Sequence, residues 1–387
     1  MGTTDPTGNE DPNAGQPNHP ARLTRHQVAQ IVLERIVSGH YRPGQRLPSQ
    51  TILRPRLHPT LSASTYTAGL GILRDLGFLV IRPRSGTVVA DVLPSQCRYA
   101  VTFPNEAGLG GPSTFYSVLE AVARRREAAQ DDLQFRYFHG MVQTDLAPRA
   151  VMRLEEELRW RCYRGIIFCS ELYRMHSDLI FKDPNVRRVC LGSRPEKMPS
   201  MPSASDPTDA GFPFLRRALD RARDAGARSV ALVTLGDDSI TPTAFPGESN
   251  SLARLDTIRE AGLFSRPEWI IGLSGTSGGW QFGRLLLAAT EKPDAVIITD
   301  DTFVPSVTAG MQAAGPPWPL VIGLANFPFL PTSSVPITFL GPDIEALLDW
   351  ALRILNDSDA QHTHPTYVTE LIFEEDWRAC GGRPLAR

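Results

Sequence analysis

The sequence predicts an α/β protein with a small N-terminal helix-turn-helix head, followed by a larger domain of two doubly wound, parallel-sheet lobes. Two observations lead to this prediction. Residues 21–92 contain helical stripes and one hairpin pattern, whereas from residue 99 short β-branched runs alternate with amphipathic stretches. Such alternation is typical of parallel strands joined by crossover helices. The 387 residues also exceed one ordinary domain, which favours two or three.

The chain begins with a predicted disordered arm and a well-marked first helix. Residues 1–20 place four prolines among glycine, asparagine, aspartate and threonine, a composition that buries too little apolar surface to fold. Thr24 and Gln27 then match a Thr-x-x-Gln capping box, which predicts the start of a helix that ends at Gly39. Its inward stripe comprises Val28, Ile31, Val32 and Ile36.

A turn and two further helices are expected next. Pro43-Gly44 suits the centre of a type II turn, because proline fixes φ and glycine supplies a positive φ. Pro48-Ser49 opens a short helix, and Ser62 is expected to N-cap the following one, which Gly77 ends. The apolar positions of that last helix are spaced by four and three residues and form one inward stripe: Tyr66, Leu70, Leu73 and Leu76.

The head closes with a predicted β-hairpin. Two β-branched runs, 79–81 and 87–89, are joined by Arg82-Pro83-Arg84-Ser85-Gly86, which indicates a hairpin with a basic tip. Helix, turn, helix and hairpin in this order predict a winged helix-turn-helix over residues 21–92.

Three segments of the head carry a resemblance to the GntR family of bacterial regulators: "SGHYRPGQRLPS", "ILRDLGFL" and "RPRSGTVVA". The resemblance implies a domain that binds operator DNA. Two departures concern its reading surface: Ala63 stands where an arginine usually follows the serine of the recognition helix, and Pro55 and Pro59 interrupt the helix-turn segment. A proline inside a helix costs about 3 kcal/mol unless the helix ends there. The usual base contacts therefore do not transfer intact.

The charge distribution supports DNA binding by the head. Residues 21–90 hold ten arginines against Glu34 and Asp75, a balance of +8, whereas residues 91–387 carry −7. This asymmetry is typical of a nucleic-acid module joined to a region that does not bind nucleic acid, and the alternative is a solvated basic surface. The candidate DNA contacts are Arg42, Arg46, Ser49, Arg54, Arg56, Ser62, Ser64, Thr65, Thr67, Arg82 and Arg84.

A linker over residues 93–98 leads into the α/β domain, expected over residues 99–376 and followed by a tail over 377–387. A segment rich in proline, serine and aspartate between residues 198 and 209 is a plausible crossing between lobes. The first lobe is assigned 99–204 and 333–358, and the second 205–332 and 359–376. Strands are expected at 99–103, 133–138, 165–169, 188–191, 229–234, 269–273, 295–299 and 320–324, and helices at 115–129, 148–160, 214–224, 252–261, 280–289 and 304–314.

This region resembles the sugar-binding-protein-like effector domain of LacI-type repressors. The resemblance is carried in order by "RCYRGIIFCS", "FLRRALDRARDAGARSVALV", "LARLDTIREAGL", "EKPDAVIITDDTFVPSVTAGMQAAG" and "PLVIGLANFPF" followed by "VPITFLGPDIEALLDWAL". It implies a periplasmic-binding-protein-like fold with a ligand between the lobes. A GntR head joined to such a domain is similar to the arabinose repressor type of regulator, which binds operators as a dimer and releases them on binding a sugar.

A sugar site needs planar donors, carboxylates that accept paired hydroxyls, and an aromatic face. The resemblance assigns Arg254 as a ligand clamp and Asp301 as the acid of an Asn-Asp signature, with Asp300 in place of the Asn. Alternatives are a surface arginine for Arg254 and a helix N-cap for Asp301. Asn326 stands where the family often has an aspartate, which leaves a simple pentose in doubt. The candidate ligand contacts are Asn105, Phe115 (or core packing), Ser193, Asp206 (or a cap), Arg254, Trp280, Asp301 and Asn326.

Other functional classes find little support in the sequence. No signal peptide or membrane span is indicated, so a cytoplasmic protein is expected, and the five cysteines show neither metal-ligand spacing nor a disulfide framework. Of the three lysines, none indicates a Schiff-base site, and the loop at residues 275–279 lacks the lysine of a P-loop. We therefore expect no cofactor, metal or enzymatic activity.

The leading hypothesis is a homodimeric transcriptional regulator, a repressor, controlled by a small-molecule effector such as a sugar. A DNA-binding protein whose second region is only a dimerisation scaffold is the principal alternative, and an enzyme is the third.

Overall fold

The structure is a computed structural model that describes most of the chain beyond its N-terminal arm. The chain divides into two compact units, Met1–Pro94 and Ser95–Arg387. The predicted arm over residues 1–20 lies outside the described residues. Those described are 23–82, 86–104, 114–141, 149–169, 178–183, 186–191, 201–204, 213–236, 250–273, 275–357, 359, 366–367 and 369–382.

The described residues of the first unit form three helices: α1 (Arg25–Val37), α2 (Gln50–Leu57) and α3 (Ala63–Asp75). The predicted capping box is confirmed, because the Gln27 N–H donates to Thr24 Oγ1 (3.3 Å) and the Thr24 N–H donates to Gln27 Oε1 (2.9 Å). α1 and α3 pack closely at Gly69, where an added Cβ would lie 2.7 Å from Val28 Cγ1.

Helix α3 follows the prediction at its ends and differs in its middle. Ser62 caps it and Gly77 ends it with φ +91°, as predicted. The buried positions are Tyr66, Gly69 and Leu73, whereas Leu70 and Leu76 are only half-buried. The helix shifts its inward face because glycine at position 69 permits the close approach of α1.

The prolines of the helix-turn segment are accommodated without breaking α2. Pro55 lies in the last turn of this eight-residue helix, which ends at Leu57 before Pro59. Since the helix stops two residues later, the proline removes one backbone donor and interrupts little helical structure.

The hairpin is present as predicted. Strand β1 (Leu79–Arg82) pairs antiparallel with β2 (Gly86–Val89), and residues 83–85 lie outside the described part. The predicted type II turn is consistent with the Gln45 N–H donating to the Arg42 carbonyl (2.9 Å) and with φ +74° at Gly44. The segment after this turn lies along β2, where the Leu47 N–H donates to the Thr87 carbonyl (2.9 Å). Residues 24–89 thus form a winged helix-turn-helix.

The part of the second unit that the structure describes forms two six-stranded sheets, one in each lobe. The first sheet is parallel throughout, in the order β4-β3-β5-β6-β7-β13. Its strands are β3 (Arg98–Thr102), β4 (Gln134–Phe138), β5 (Gly165–Phe168), β6 (Arg187–Leu191), β7 (Ser203–Ala204) and β13 (Thr366–Tyr367). The helices along this part of the chain are α4 (Pro94–Cys97), α5 (Phe115–Ala129), α6 (Arg149–Arg159) and α7 (Asp178–Lys182), and α12 (Ile344–Asn356) joins them from the C-terminal region.

The second sheet has the order β9-β8-β10-β11-β12-β14, with only its last strand antiparallel. Its strands are β8 (Val230–Leu235), β9 (Ile270–Leu273), β10 (Ala295–Ile298), β11 (Leu320–Leu324), β12 (Thr338–Pro342) and β14 (Leu371–Phe373). The helices here are α8 (Pro213–Asp224), α9 (Asn250–Glu260), α10 (Thr276–Ala288), α11 (Val304–Ala314) and α13 (Glu374–Ala379), with a short 3₁₀ turn at Pro267–Trp269. The doubly wound, two-lobed architecture is as predicted.

The C-terminal segments are distributed between the lobes differently from the prediction. The sequence assigned 333–358 to the first lobe, but β12 pairs with β11 in the second sheet. Likewise 359–376 was assigned to the second lobe, but β13 pairs with β7 in the first sheet. Two segments keep their assignments. The apolar face of α12 joins the core of the first lobe, and β14 pairs with β12 in the second sheet. Apolar pattern marks these segments as buried but does not specify which sheet edge they join.

Candidate functional site

The predicted DNA contacts on α3 form a hydrogen-bonded cap. Ser62 Oγ accepts from the Thr65 N–H (3.0 Å) and donates to Thr65 Oγ1 (2.8 Å), and it lies 3.0 Å from Ser64 Oγ. The capping geometry holds these hydroxyls at the start of the helix, while Thr67 is exposed one turn later.

The predicted basic contacts that the structure describes lie in the turn segment, on α2 and on β1. Arg42, Arg46 and Arg56 are exposed and Arg54 is half-buried. Arg82 forms an ion pair with Asp91, which lowers its net contribution to a basic surface. Ser49 is the N-cap residue of α2, and its hydroxyl lies 2.9 Å from Thr51 Oγ1 rather than bonding the helix backbone. Arg84 lies outside the described residues.

In the second unit, the strands bring Asp300, Asp301 and Asn326 to one edge of the second sheet. The two aspartates follow β10 and Asn326 follows β11, which pairs with β10 in parallel. Since the carboxyl ends of neighbouring parallel strands share an edge, residues 25 positions apart in sequence become neighbours. Asn326 Nδ2 donates to Asp301 Oδ2 at 2.8 Å.

Asp301 also contacts the first lobe. The Thr114 N–H donates to Asp301 Oδ1 (3.1 Å), and the Thr114 hydroxyl donates to Asp301 Oδ2. Asn326 Nδ2 lies 3.4 Å from Thr114 Oγ1, which closes the triangle. Asp301 is only 1% exposed, so this interlobe network is a buried polar site. Its carboxylate accepts hydrogen bonds from both lobes.

The start of helix α11 excludes one alternative role for Asp301, that of a helix N-cap. Helix α11 begins at Val304 with Phe303 as its N-cap residue, so Asp301 does not cap this helix. Asp300 instead holds the local turn, because its Oδ1 accepts from the Thr302 N–H (2.9 Å).

Burial sets the electrostatics of the acid pair. Desolvation is the main cause that raises the pKa of Asp300 to about 6; the Thr302 hydrogen bonds oppose this shift, and the neighbouring charge of Asp301 adds to it. Desolvation also raises the pKa of Asp301, while the bonds from Thr114 and Asn326 oppose the shift. The carboxyl of Asp300 is thus poised to exchange a proton in mildly acidic solution.

Thr114 was missed by the sequence analysis. It occupies the N-cap position of α5 but makes no side-chain capping bond. A threonine before a helix predicts a cap, and only the meeting of the two lobes redirects its hydroxyl to Asp301.

The remaining candidates are placed less informatively. Phe115 is half-buried and packs against the core of the first lobe, beside Tyr116 at 5.6 Å between ring centroids, in line with its packing alternative. Trp280 is 41% exposed on α10, with Arg284 Cζ 5.2 Å from the centroid of one of its rings. Arg254 is half-buried on α9. Asn105, Ser193 and Asp206 lie outside the described residues.

The described residues contain neither a metal-binding cluster nor a membrane-spanning helix. No group of three or more His, Cys, Asp or Glu side chains in these residues is arranged to hold a metal ion. Nor does the described part of the chain contain a helix long and apolar enough to cross a membrane.

Residues 24–89 match the family described as "Bacterial regulatory proteins, gntR family". The HTH-type transcriptional regulator TauR of Rhodobacter capsulatus is 35% identical over 82 residues, which is 21% of this chain and 16% of that protein. The match to this curated relative is therefore confined to a small part of its length. The N-terminal recognition from the sequence is confirmed: this segment is a GntR-type helix-turn-helix domain.

Most of the chain is similar in fold to solved LacI-type regulators. A LacI-type regulator of Bacillus cereus subsp. cytotoxis aligns with a TM-score of 0.51 and 15% identity, over 72% of this chain and 96% of that one. A LacI family regulator of Lactobacillus casei with bound sucrose aligns with a TM-score of 0.50 and 21% identity, over 72% and 98%. A protein of Actinobacillus succinogenes aligns with a TM-score of 0.51 and 15% identity, over 72% and 97%. The chain joins a GntR-type head to a two-lobed domain whose fold is similar to that of these regulators.

Proposed function

We propose that the protein is a transcriptional regulator whose affinity for operator DNA is controlled by a small molecule bound between the lobes. The carrying observation is that the GntR-type head is joined to a domain with a buried carboxylate, Asp301, where its two lobes meet. The head supplies DNA binding and the two-lobed domain supplies control. Acting on DNA inside the cell, the protein works in the cytoplasm as a regulator rather than as an enzyme.

DNA binding rests on the surface of the head. Arginines on the turn and α2, namely Arg42, Arg46, Arg54 and Arg56, contact backbone phosphates and position the domain. In helix-turn-helix proteins the second helix of the motif enters the major groove with its N-terminal residues toward the base edges, which is the role we assign to α3. Two copies bind one operator as a homodimer, because two-fold symmetric heads read two half-sites.

Effector binding uses the interlobe network. A sugar hydroxyl is chemically equivalent to the Thr114 hydroxyl that Asp301 already accepts, so a bound sugar or sugar derivative replaces that donor. Because Thr114 and Asp301 belong to different lobes, the exchange changes how the lobes meet. Arg254 clamps the ligand, and Asn326 offers an amide in place of a second carboxylate. The binding energy of the effector alters operator affinity by roughly 1–3 kcal/mol, and release of the operator makes the protein a repressor.

One observation favours a second candidate function. Both oxygens of Asp301 are already hydrogen-bonded within the chain, to Thr114 and Asn326. A permanently satisfied carboxylate suits a dimerisation scaffold that holds two heads together without any effector.

A thermal-shift screen of the full-length protein against sugars, sugar phosphates and sugar acids tests the proposal. A true effector at 100 times its dissociation constant adds about 2.7 kcal/mol of stability. Arg254→Ala should abolish the shift. Arg259→Ala is the matched control, since Arg259 lies on the same helix and pairs with Asp256 at the surface. The absence of any shift across the panel, while the protein still binds DNA, would favour the scaffold. A shift of equal size in both variants would exclude Arg254 as the ligand clamp.

A further inference from the structure

The outward face of α3 is unusually short of long side chains. All thirteen residues of this helix are described, and its buried positions are Tyr66, Gly69 and Leu73. The exposed positions over its first two turns, on the opposite side, are Ala63, Ser64, Thr67 and Ala68. One turn further, an added Cβ at Gly71 would meet no atom within 4 Å, so this surface is open as well as shallow.

Arginine enters this helix only at its last turn. The Arg74 guanidinium there donates to Asp75 Oδ1 from Nε (2.9 Å) and from Nη2 (2.7 Å). Guanine is read in the major groove chiefly by arginine or lysine, which contact its O6 and N7 together. The N-terminal turns of α3 contain neither arginine nor lysine. This helix is therefore not suited to reading guanine in this way.

The chemistry that α3 does present is methyl groups and short hydroxyls. The hydroxyls of Ser64 and Thr65 are engaged with Ser62 in the cap. Ala63, Thr67 and Ala68 are exposed, and each carries a methyl group. In the major groove, alanine and threonine methyls make apolar contact with the C5-methyl of thymine, which cytosine lacks.

Independent evidence comes from where the arginines lie. The exposed Arg42, Arg46 and Arg56 are on the turn and α2, outside α3. Contacts from such flanking positions reach phosphates, which fix the register of a protein on DNA but carry no direct sequence information. Affinity and base readout are therefore divided between separate elements of this head.

We propose that α3 reads thymine methyl groups, so that the operator is rich in A·T pairs where this helix enters the major groove. The inference rests on the proposed DNA-binding function and names the class of operator that this surface selects.

The test begins with selection of binding sites by the full-length protein from a random pool of double-stranded DNA. The expected consensus carries thymines in each half-site. Replacing one such thymine by uracil removes only the C5-methyl, and should weaken binding about fourfold for each methyl contacted. A consensus built on guanines, or binding unchanged by uracil at every position, would overturn the inference. Failure to retain any DNA would instead overturn the proposed function itself.

Variants at Thr67 locate the contact. Thr67→Ser keeps the hydroxyl and removes the methyl, and should make affinity insensitive to uracil at one thymine. Thr67→Val keeps a methyl group at this exposed position, and should preserve the sensitivity of DNA affinity to uracil. Thr24→Ser is the matched control, because this threonine caps α1 on a different helix and serine caps equally well. Equal uracil sensitivity in Thr67→Ser and the unaltered protein at every position would exclude Thr67 as a methyl reader.

Discussion

Single residues decide how the two lobes of the second unit meet. The resemblance to LacI-type effector domains assigned Asp301 as a site residue, and the structure buries this carboxylate beside Asn326. Thr114 was beyond prediction, because its bond to Asp301 joins residues 187 positions apart that belong to different lobes. Local pattern identifies caps and turns reliably, as at Thr24 and Gly77, but it carries no information on which hydroxyl meets which carboxylate across a cleft.

Removing the Thr114 hydroxyl should destabilise the second unit. In Thr114→Val the buried Asp301 loses one donor, and a hydrogen bond to a charged group contributes about 1.5–3 kcal/mol. Urea denaturation measures the loss in the free energy of unfolding. Thr114→Ser is the control, since it retains the donor and should remain within about 0.5 kcal/mol of the unaltered protein. Equal stability of the valine and serine variants would show that the interlobe bond contributes nothing.

Asp300 should make the protein less stable as pH rises. A salt-bridged carboxylate has the opposite effect. Burial raises its pKa from 3.8 to about 6, so between these values the folded protein holds a proton that the unfolded chain has released. Unfolding free energy therefore falls as pH rises from about 4 to about 6 and then levels, by roughly 2–3 kcal/mol for this group.

Asp300→Asn should remove this contribution, because the amide stays neutral and its oxygen still accepts from Thr302. The difference in unfolding free energy between variant and unaltered protein should grow from pH 4 to pH 6 in favour of the variant. Denaturation at a series of pH values measures this difference. A flat difference for Asp300→Asn would contradict the raised pKa.

Sequence pattern predicts the bounds of helices and strands, whereas tertiary packing decides which sheet a short strand joins. Helices α5 and α11 and strand β11 have the predicted bounds, because their apolar patterns are unambiguous and a glycine, Gly315, ends α11. Strands β12 and β13 were not assigned to their sheets, since a strand of two to five residues fits either sheet edge by composition. Partner choice comes from tertiary packing, which a single sequence does not encode locally.

Helices α10 and α11 illustrate packing that depends on glycine. An added Cβ at Gly283 would lie 2.2 Å from the Val307 carbonyl oxygen, and one at Gly310 would lie 2.1 Å from that of Trp280. The two helix backbones are therefore in contact at both glycines. An added methyl group would meet backbone atoms, which cannot move aside as a flexible side chain can.

Gly283→Ala should separate these helices and lower stability. Overpacking costs about 1–3 kcal/mol, which outweighs the gain of up to ~1 kcal/mol from replacing a helical glycine. Thermal unfolding monitored by circular dichroism measures the change. Gly71→Ala provides the contrast, because its added methyl meets no atom within 4 Å and should stabilise the head. Stabilisation by both substitutions would show that α10 and α11 do not pack this closely.

At the scale of the whole molecule, charge separates the two functions. The head carries an excess of arginine and the rest of the chain is acidic, with −2 overall. This division was evident from sequence because net charge is a sum over a segment and needs no knowledge of the fold. Which arginines stay available to DNA was not evident: Arg74 and Arg82 are paired with Asp75 and Asp91, respectively.

Operator affinity should therefore depend on salt through the arginines that lie outside these two ion pairs. Removing one phosphate-binding arginine lowers the slope of log affinity against log salt by about 0.9, hence about 1.8 for the two copies in a dimer. Arg42→Ala should reduce the slope by this amount and weaken binding uniformly across operator sequences, because a phosphate contact carries no sequence information. Arg74→Ala is the control and should leave the slope unchanged, since its guanidinium is engaged by Asp75. Titrations by fluorescence anisotropy between about 50 and about 200 mM salt cover the range in which counterion release dominates. If Arg74→Ala lowered the slope as much as Arg42→Ala, ion pairing within the head would not determine which arginines bind DNA.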